Sequence, residues 1–277
     1  MMNSVLVFGG SRGIGKIVAL HFIGKGCRVS AASKNSRNLE ELKREVKDRK
    51  GSVNTITADI GNEEQVKSAF EAHKDIFGGY PDVVVNAAAI QGPIGRLWEL
   101  SSDEWTNAVR IDLCGSFFIT KAAIAVMLSA EKGSIIHFSG GGSTCARPNF
   151  SAYGTAKTGL LRLVETAAEE LRMSGHKDII INAVAPGAVK TDMMGEIIRS
   201  AESAGPKETK DAENVLLTGG TPPELITKLV DFLCVPDLNK GISGRLIHVR
   251  EEYAKYAENF CGTPESNEGK LRRVPLI

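Results

Sequence analysis

Tyr153 and Lys157 lie four residues apart in the segment Ser151-Ala-Tyr-Gly-Thr-Ala-Lys157. On a helix that spacing puts both side chains on one face, one turn apart. A phenol is a poor acid near neutrality, with an ordinary pKa of about 10. An ammonium one turn away stabilises the phenolate and lowers that value, which makes Tyr153 a usable proton donor to a carbonyl oxygen. Taken alone, the pair equally describes a half-buried tyrosine beside a solvated lysine. Its weight rests on the elements around it.

Near the N-terminus, Val5-Leu-Val-Phe8 is the kind of apolar run expected of a buried parallel strand. Gly9-Gly-Ser11-Arg12-Gly13-Ile14-Gly15 follows, and then a helical pattern that ends at Gly24. Glycines between a strand and a helix permit a tight turn with no Cβ in the way. Backbone N–H groups and the helix N-terminus then approach a pyrophosphate. The plain alternative is a glycine-rich turn with no ligand.

The chain has 277 residues, 42% of them hydrophobic and 24% charged, with a net charge of +1. That length suits a single α/β domain, 1–277, and the charge offers no field for nucleic acid or an acidic membrane surface. No run of some 18 apolar residues suggests a membrane span, and residues 1–4 leave no room for a signal peptide. The five cysteines are scattered and lack C-x-x-C pairing, which argues against a disulfide framework or a zinc site. A cytoplasmic protein without a metal is expected. Cys114 and Cys145 read as buried small hydrophobes.

Apolar runs of strand length alternate with helical periods. The strands are expected at Val5–Phe8, Arg28–Ala32, Val53–Ala58, Val83–Val85, Ser134–Phe138, Ile179–Val184 and Leu246–Val249. Helices are expected near 12–24, 38–48, 63–76, 102–129, 151–174 and 222–234. The alternation implies α/β architecture, a doubly wound parallel seven-stranded sheet with helices on both faces. Residues 190–220 break the rhythm as a polar insertion, helical around 194–202 and loose from Ala204 to Lys210; such insertions commonly form lids. The tail 250–277 reads as irregular, a docking arm for another subunit or a frayed end.

Together the motifs resemble the short-chain dehydrogenase/reductase family, with its Rossmann fold, from about Val5 to Val249. The resemblance rests on Gly9-x-x-x-Gly13-Ile14-Gly15, Asp59, Asn86-Ala-Ala-Ala89, Tyr153-x-x-x-Lys157, and Pro186-Gly187 followed by Thr191, in the family's order. It implies that the Gly9 loop with Ser11, and Asn86-Ala87-Ala88, hold a dinucleotide. Asp59, with Ile60 beside it, would cap the adenine amino group. Lys157 would bond the nicotinamide ribose, and the segment Pro186 to Thr191, Val189 included, the carboxamide. Tyr153 would be the catalytic acid/base. An Asp59 helix N-cap, in Asp59-Ile-Gly-Asn-Glu-Glu, is compatible with that role.

Cofactor choice is read at the end of the second strand, where NAD sites usually place a carboxylate against the ribose 2′-OH. Here Ser33 and Lys34 supply a hydroxyl and a cation, and Arg12 adds a second positive charge. Two cations without an anion favour a 2′-phosphate, so NADP(H) is expected over NAD(H). The alternative is that Lys34 and Arg12 point to solvent.

Four departures from the family stand out. Phe8 replaces a threonine that bonds the backbone near Asn86-Ala87. Asp112 occupies the place of an asparagine, and its carboxylate competes for the charge of Lys157 while its backbone carbonyl is retained. The family's serine lies 13 residues before the tyrosine, and that position is Gly140. Ser139 is one residue early, which on a regular strand reverses its direction. A glycine bulge would re-aim Ser139 or bring Ser143 into place. Ser139, Ser143 or no serine therefore remain open for polarising the substrate oxygen. Fourth, the last strand lacks the glycine pair that usually follows it.

The segment Phe138-Ser-Gly-Gly-Gly with Arg147-Pro-Asn-Phe-Ser-Ala-Tyr153, and the ending Leu271-Arg-Arg-Val274, looks like a reductase subgroup found among bacterial surface-polysaccharide genes. His137 and His248 read as core or edge positions. Trp98 and Trp105, with Gln91, Pro93 and Arg96, line one side of the substrate mouth or pack the next helix, and the pocket walls are expected from residues 90–97, 143–150 and 190–220. Family likeness implies a homodimer or homotetramer through the helices at 102–129 and 151–174. Two classes of function follow. One is an NADP(H)-dependent oxidoreductase acting on a small carbonyl or alcohol; the other is a weak or inactive dinucleotide-binding sensor or scaffold. Sugar-nucleotide epimerase-like chemistry suits the Tyr-Lys pair, but the long substrate domain of such enzymes is missing.

Overall fold

In the computed structural model, residues 3–259 and 268–271 are described. The seven strands are β1 (Ser4–Phe8), β2 (Arg28–Ser33), β3 (Ser52–Thr57), β4 (Val83–Asn86), β5 (Gly133–Phe138), β6 (Ile179–Ala185) and β7 (Leu246–His248). They form one sheet in the order β3-β2-β1-β4-β5-β6-β7, and every pairing is parallel.

The apolar run of β1 has no solvated face because helices cover the sheet on both sides. Val5 and Val7 enter a core with helix α1 (Gly13–Gly24), α2 (Ser36–Glu45) and α10 (Pro223–Cys234). Leu6 and Phe8 enter the opposite core with α3 (Glu63–Phe77), α5 (Gly115–Ala130) and α6 (Ser151–Met173). The alternation is the period-two geometry of a strand. Phe8 packs its ring 5.9 Å from Phe70, and its carbonyl accepts the Ala87 N–H at 2.9 Å. The backbone link between the first and fourth strands therefore survives without the threonine.

Strand order reverses between β1 and β4. At such a point the loops leaving the two carboxyl ends part in opposite directions and open a crevice. The expected helix at 102–129 is divided. Helix α4 (Ser102–Val109) passes into a π turn, Arg110–Cys114, before α5. Within 102–130 lies a helical stretch long and apolar enough to cross a membrane, contrary to the sequence expectation. Here one face of it contacts α3, α6 and the sheet, while Phe117 and Leu128 stay exposed.

The insertion is more ordered than its composition suggests. It forms α7 (Asp192–Arg199), α8 (Ala201–Ala204) and α9 (Pro206–Thr218), so the stretch expected to be loose is helical. Pro206 opens α9, where a missing N–H costs nothing, and Gly219 ends it in the left-handed region at φ 86°. Ile197, Ala204 and Ala212 pack these helices on Phe150.

The tail also departs from expectation. After α11 (Pro236–Asn239), helix α12 spans Tyr253–Asn259. Gly269 accepts the Leu246 N–H at 2.8 Å, and the Leu271 N–H reaches Glu165 on α6 at 2.5 Å. This part of the tail docks on its own chain. Arg272, Arg273 and Val274, and Cys261, fall outside the described residues.

Candidate active site

A cavity of about 1120 Å³ opens at the carboxyl ends of the strands, from the loop after β1 to the helices of the insertion. At one end Gly9 takes φ 75°, a left-handed conformation. A Cβ there would stand 2.6 Å from the Ala88 nitrogen, so only glycine lets the two loops pass so closely. Arg12, Gly13, Ile14, Ala87 and Ala88 line this end. Ser11 and Gly15 do not; Ser11 is buried and donates to Ser33 at 2.8 Å, bracing the loop against β2. Asn86 also lies behind the wall. Its amide donates to Ser116 at 3.0 Å and meets His137 Nδ1 at 3.2 Å, and its Oδ1 accepts the Ala88 N–H.

The two cations expected near a ribose phosphate already have carboxylate partners. Lys34 reaches Asp59 at 3.2 Å and Arg12 reaches Asp192 at 2.9 Å, all four lining the cavity. Both cations are more than half exposed, which leaves them free to exchange partners. Asp59 is not a helix cap: Asn62 caps α3, accepting the Gln65 N–H, while Asp59 Oδ1 accepts the Gly61 N–H in a tight turn. Burial alone would raise the Asp59 carboxyl. The Gly61 N–H, Lys34 and Arg110 outweigh it and hold the group below the ordinary value.

At the other end, the N-terminal turn of α6 carries Tyr153, with Lys157 one turn on, as the spacing predicts. Both are buried and both line the cavity. Lys157 Nζ donates to the Phe138 carbonyl at 3.0 Å and lies 5.6 Å from the centre of the Tyr153 ring. Burial pulls the Lys157 ammonium below its ordinary value, while Asp112 opposes. The expected acidification of Tyr153 by Lys157 is reversed in this geometry. Burial first, and then the Asp112 carboxylate, push the phenol up, and Arg147 is the group that pulls it down.

Asp112 sits in the middle of the π turn, a helix defect that often marks functional sites. It does not line the cavity. Its Oδ1 accepts the Ile90 N–H at 2.9 Å, its Oδ2 is buried without a partner, and its carbonyl accepts from Ser116 at 2.6 Å. Burial pushes its carboxyl up to about 6, against Lys157 and the Ile90 N–H.

The glycine run after β5 makes a turn, not a strand bulge. Ser139 continues the ladder through Val184, and the Ser143 N–H closes on the Gly140 carbonyl at 3.2 Å. Both serines are buried and line the cavity, and Ser139 Oγ has no partner. Gly140 lies directly against Tyr153, where an added Cβ would overlap the phenol oxygen. Pro186, Gly187, Val189 and Thr191 form the wall beyond β6, and Ile60 and Ser33 also line the cavity.

Further lining residues come from the wall segments expected from the sequence, which gave them no individual role. Gln91, Met193, Met194, Glu196, Glu208 and Asp211 all face the cavity. Arg147 does too, and its Nε and Nη2 both donate to Glu208 Oε2 at 2.9 and 2.6 Å, tying the loop after β5 to α9. The only signal for these was position in the three wall segments. His137 is a core residue, held by Thr120 and Asn86. His248, expected in the core or at an edge, ends the edge strand and also lines the cavity. Cys145 is exposed and Cys114 intermediate, so neither is a buried hydrophobe. Trp105 ties α4 to α6 by donating to Ser151, whereas Trp98 is 78% exposed.

The family model described as short chain dehydrogenase matches residues 3–202. The chain is 28% identical over 244 residues to the 3-oxoacyl-acyl-carrier-protein reductase FabG of Thermotoga maritima, covering 88% of this chain and 94% of that one. Among solved structures it resembles levodione reductase, with a TM-score of 0.78 at 25% identity over 91% of this chain and 97% of the other. An NAD+-bound xylitol dehydrogenase shares the fold, with a TM-score of 0.79 at 23% identity, covering 88% and 96% of the two chains.

Proposed function

From a chain that belongs to the short-chain dehydrogenase family, we propose an NADP(H)-dependent oxidoreductase acting on a small carbonyl or alcohol substrate. The observation that carries this reading is the placement of Tyr153, Lys157 and Ser139 on one cavity whose far end is the Gly9 loop. The residues fit a nicotinamide dinucleotide: the glycine loop leaves room for a pyrophosphate, and Arg12, Ser33 and Lys34 are set to receive a 2′-phosphate. When bound, that cofactor supplies or accepts the hydride. Tyr153 gives its proton to the substrate oxygen in reduction and takes it back in oxidation. Ser139 donates a hydrogen bond to the same oxygen. Lys157 holds the ribose side and offsets the charge left on the phenolate.

The raised Tyr153 acid and the glycine in the serine position favour a second reading, a dinucleotide-binding sensor with little turnover. Titrating the protein with NADPH and NADH by fluorescence, then following absorbance against a ketone panel, separates the two. Binding with oxidation that falls about 10²–10⁴-fold in Tyr153→Phe supports the enzyme. Binding without oxidation supports the sensor, and absence of binding removes both. Lys34→Ala is expected to weaken NADPH about tenfold and leave NADH nearly unchanged; equal effects on both would remove Lys34 from recognition of a 2′-phosphate.

The lid role for 190–220, the single-domain organisation, the cytoplasmic location and a homodimer or homotetramer belong to the same reading. Phe117 and Leu128 on α5 are exposed apolar residues suited to a symmetric contact, and light scattering on the purified protein tests it.

A further inference from the structure

Among the described residues, Gln91, Asp112 and Ser139 carry buried side-chain nitrogens or oxygens without a hydrogen-bond partner. Each is tied to the cavity that Tyr153 lines. Gln91 and Ser139 line the cavity, and Asp112 acts on the phenol while holding the N–H of Ile90, next to Gln91. Native folds leave few buried polar groups unpaired because each one forfeits its hydrogen bonds to water. Gln91 is the extreme case. It is 2% exposed, and both its Nε2 and its Oε1 lack a partner. No hydrogen bond holds its amide in place, so rotation about its torsions brings it into the cavity it lines.

An amide presents a donor and an acceptor side by side. Its complement is a pair of neighbouring hydroxyls, one donating to Oε1 and the other accepting from Nε2. Charge narrows the class further. Glu196, Glu208 and Asp211 line the insertion side of the cavity, and Arg147 opposite them is already engaged by Glu208. Such a wall disfavours a phosphate or carboxylate.

We infer that Gln91 sets substrate specificity, and that the substrate is an uncharged polyhydroxy carbonyl compound or its alcohol, with vicinal hydroxyls beside the reacting carbon. The inference rests on the oxidoreductase reading above. Butanone, hydroxybutanone, erythrulose and erythrulose phosphate form a matched four-carbon series to be tested with NADPH on the wild type, Gln91→Leu and Gln91→Met. Erythrulose is expected to exceed butanone in kcat/KM by about 100-fold or more, and to exceed its phosphate. In both variants the ratio of erythrulose to butanone falls to about threefold, the deficit appearing mainly in KM. NADPH affinity holds, and melting temperature stays level or rises as an unpaired amide is removed. Equal kcat/KM along the series, preference for the phosphate, or discrimination that persists in both variants would overturn the inference. So would a fall in melting temperature in both, or no turnover of any member while NADPH still binds. Failure of both NADPH and NADH to bind overturns the oxidoreductase reading itself.

Discussion

Tyr153 and Lys157 were legible from spacing alone, because a helix makes a separation of four into a neighbourhood. What spacing did not carry was the field around the phenol. Asp112 raises the Tyr153 acid, so removing its charge in Asp112→Asn is expected to lower it. Oxidation requires the phenolate, and the rising limb of the kcat–pH profile should therefore move to lower pH. A profile that stays in place would remove Asp112 from the electrostatics of the site. Gly140 gives a second expectation. Restoring the serine of the family pattern there adds a Cβ that overlaps the phenol oxygen. Gly140→Ser should then destabilise the fold by about 1–3 kcal/mol through overpacking and reduce turnover. A variant that is faster and equally stable would show that α6 yields. Ser139→Ala is expected to slow turnover about 10²–10³-fold, the cost of one oxyanion donor, and Ser143→Ala only a few-fold.

At the scale of elements, strands and helices were read from apolar runs and periodicity, and both signals are local. Polar composition misled where helices lean on little apolar area. Helix α9 buries only Ala212 and Val215 and is held in part by the Arg147–Glu208 pair, which no local pattern reveals. Both partners are less than one-fifth exposed, so the pair is shielded more than a surface bridge. A double-mutant cycle with Arg147→Ala and Glu208→Ala, read by urea unfolding, should give a coupling of about 1–3 kcal/mol. Additive single effects would mean that α9 is held by Phe150 and its apolar neighbours alone. The π turn at Arg110–Cys114 was equally hidden, because its residue types suit an α-helix and only packing against α6 and α5 selects the extra residue per turn.

For the whole molecule, acid stability follows from two buried histidines, His73 on α3 against the sheet and His137 on β5. His73, between Ser4 and Ser30, is pulled down to about 4 by burial, with Arg28 adding to it. His137 is pulled down to about 3 by burial, with Lys157 adding to it. Both are neutral when folded, whereas the unfolded chain protonates them near 6.5. The folded state binds fewer protons, so stability present above pH 6.5 is lost as pH falls toward 4 and 3. Asp112 works the other way between about 6 and 4, since its raised carboxyl takes up a proton in the folded state first. Two groups outweigh one, at about 1 kcal/mol per pH unit each. Urea midpoints measured at pH 7 and pH 5 should fall on acidification, and His73→Leu should flatten the fall. An unchanged midpoint would mean that the two histidines are not held neutral in the folded state.

The sequence by itself determined the parallel sheet, the glycine loop and the Tyr153–Lys157 pair, each of which is a matter of order and spacing along the chain. At Gly140 the sequence left Ser139, Ser143 or no serine open, and the turn after β5 sets both serines on the cavity wall. Tertiary structure alone decided that Asn86 and Ser11 brace the wall from behind, that Arg147 opposes the expected Asp112 carboxylate on Tyr153, and that the Gln91 amide is buried without a partner. Burial, charge and hydrogen-bond satisfaction depend on distances between residues far apart in sequence, and these exist only once the chain has closed around the cavity.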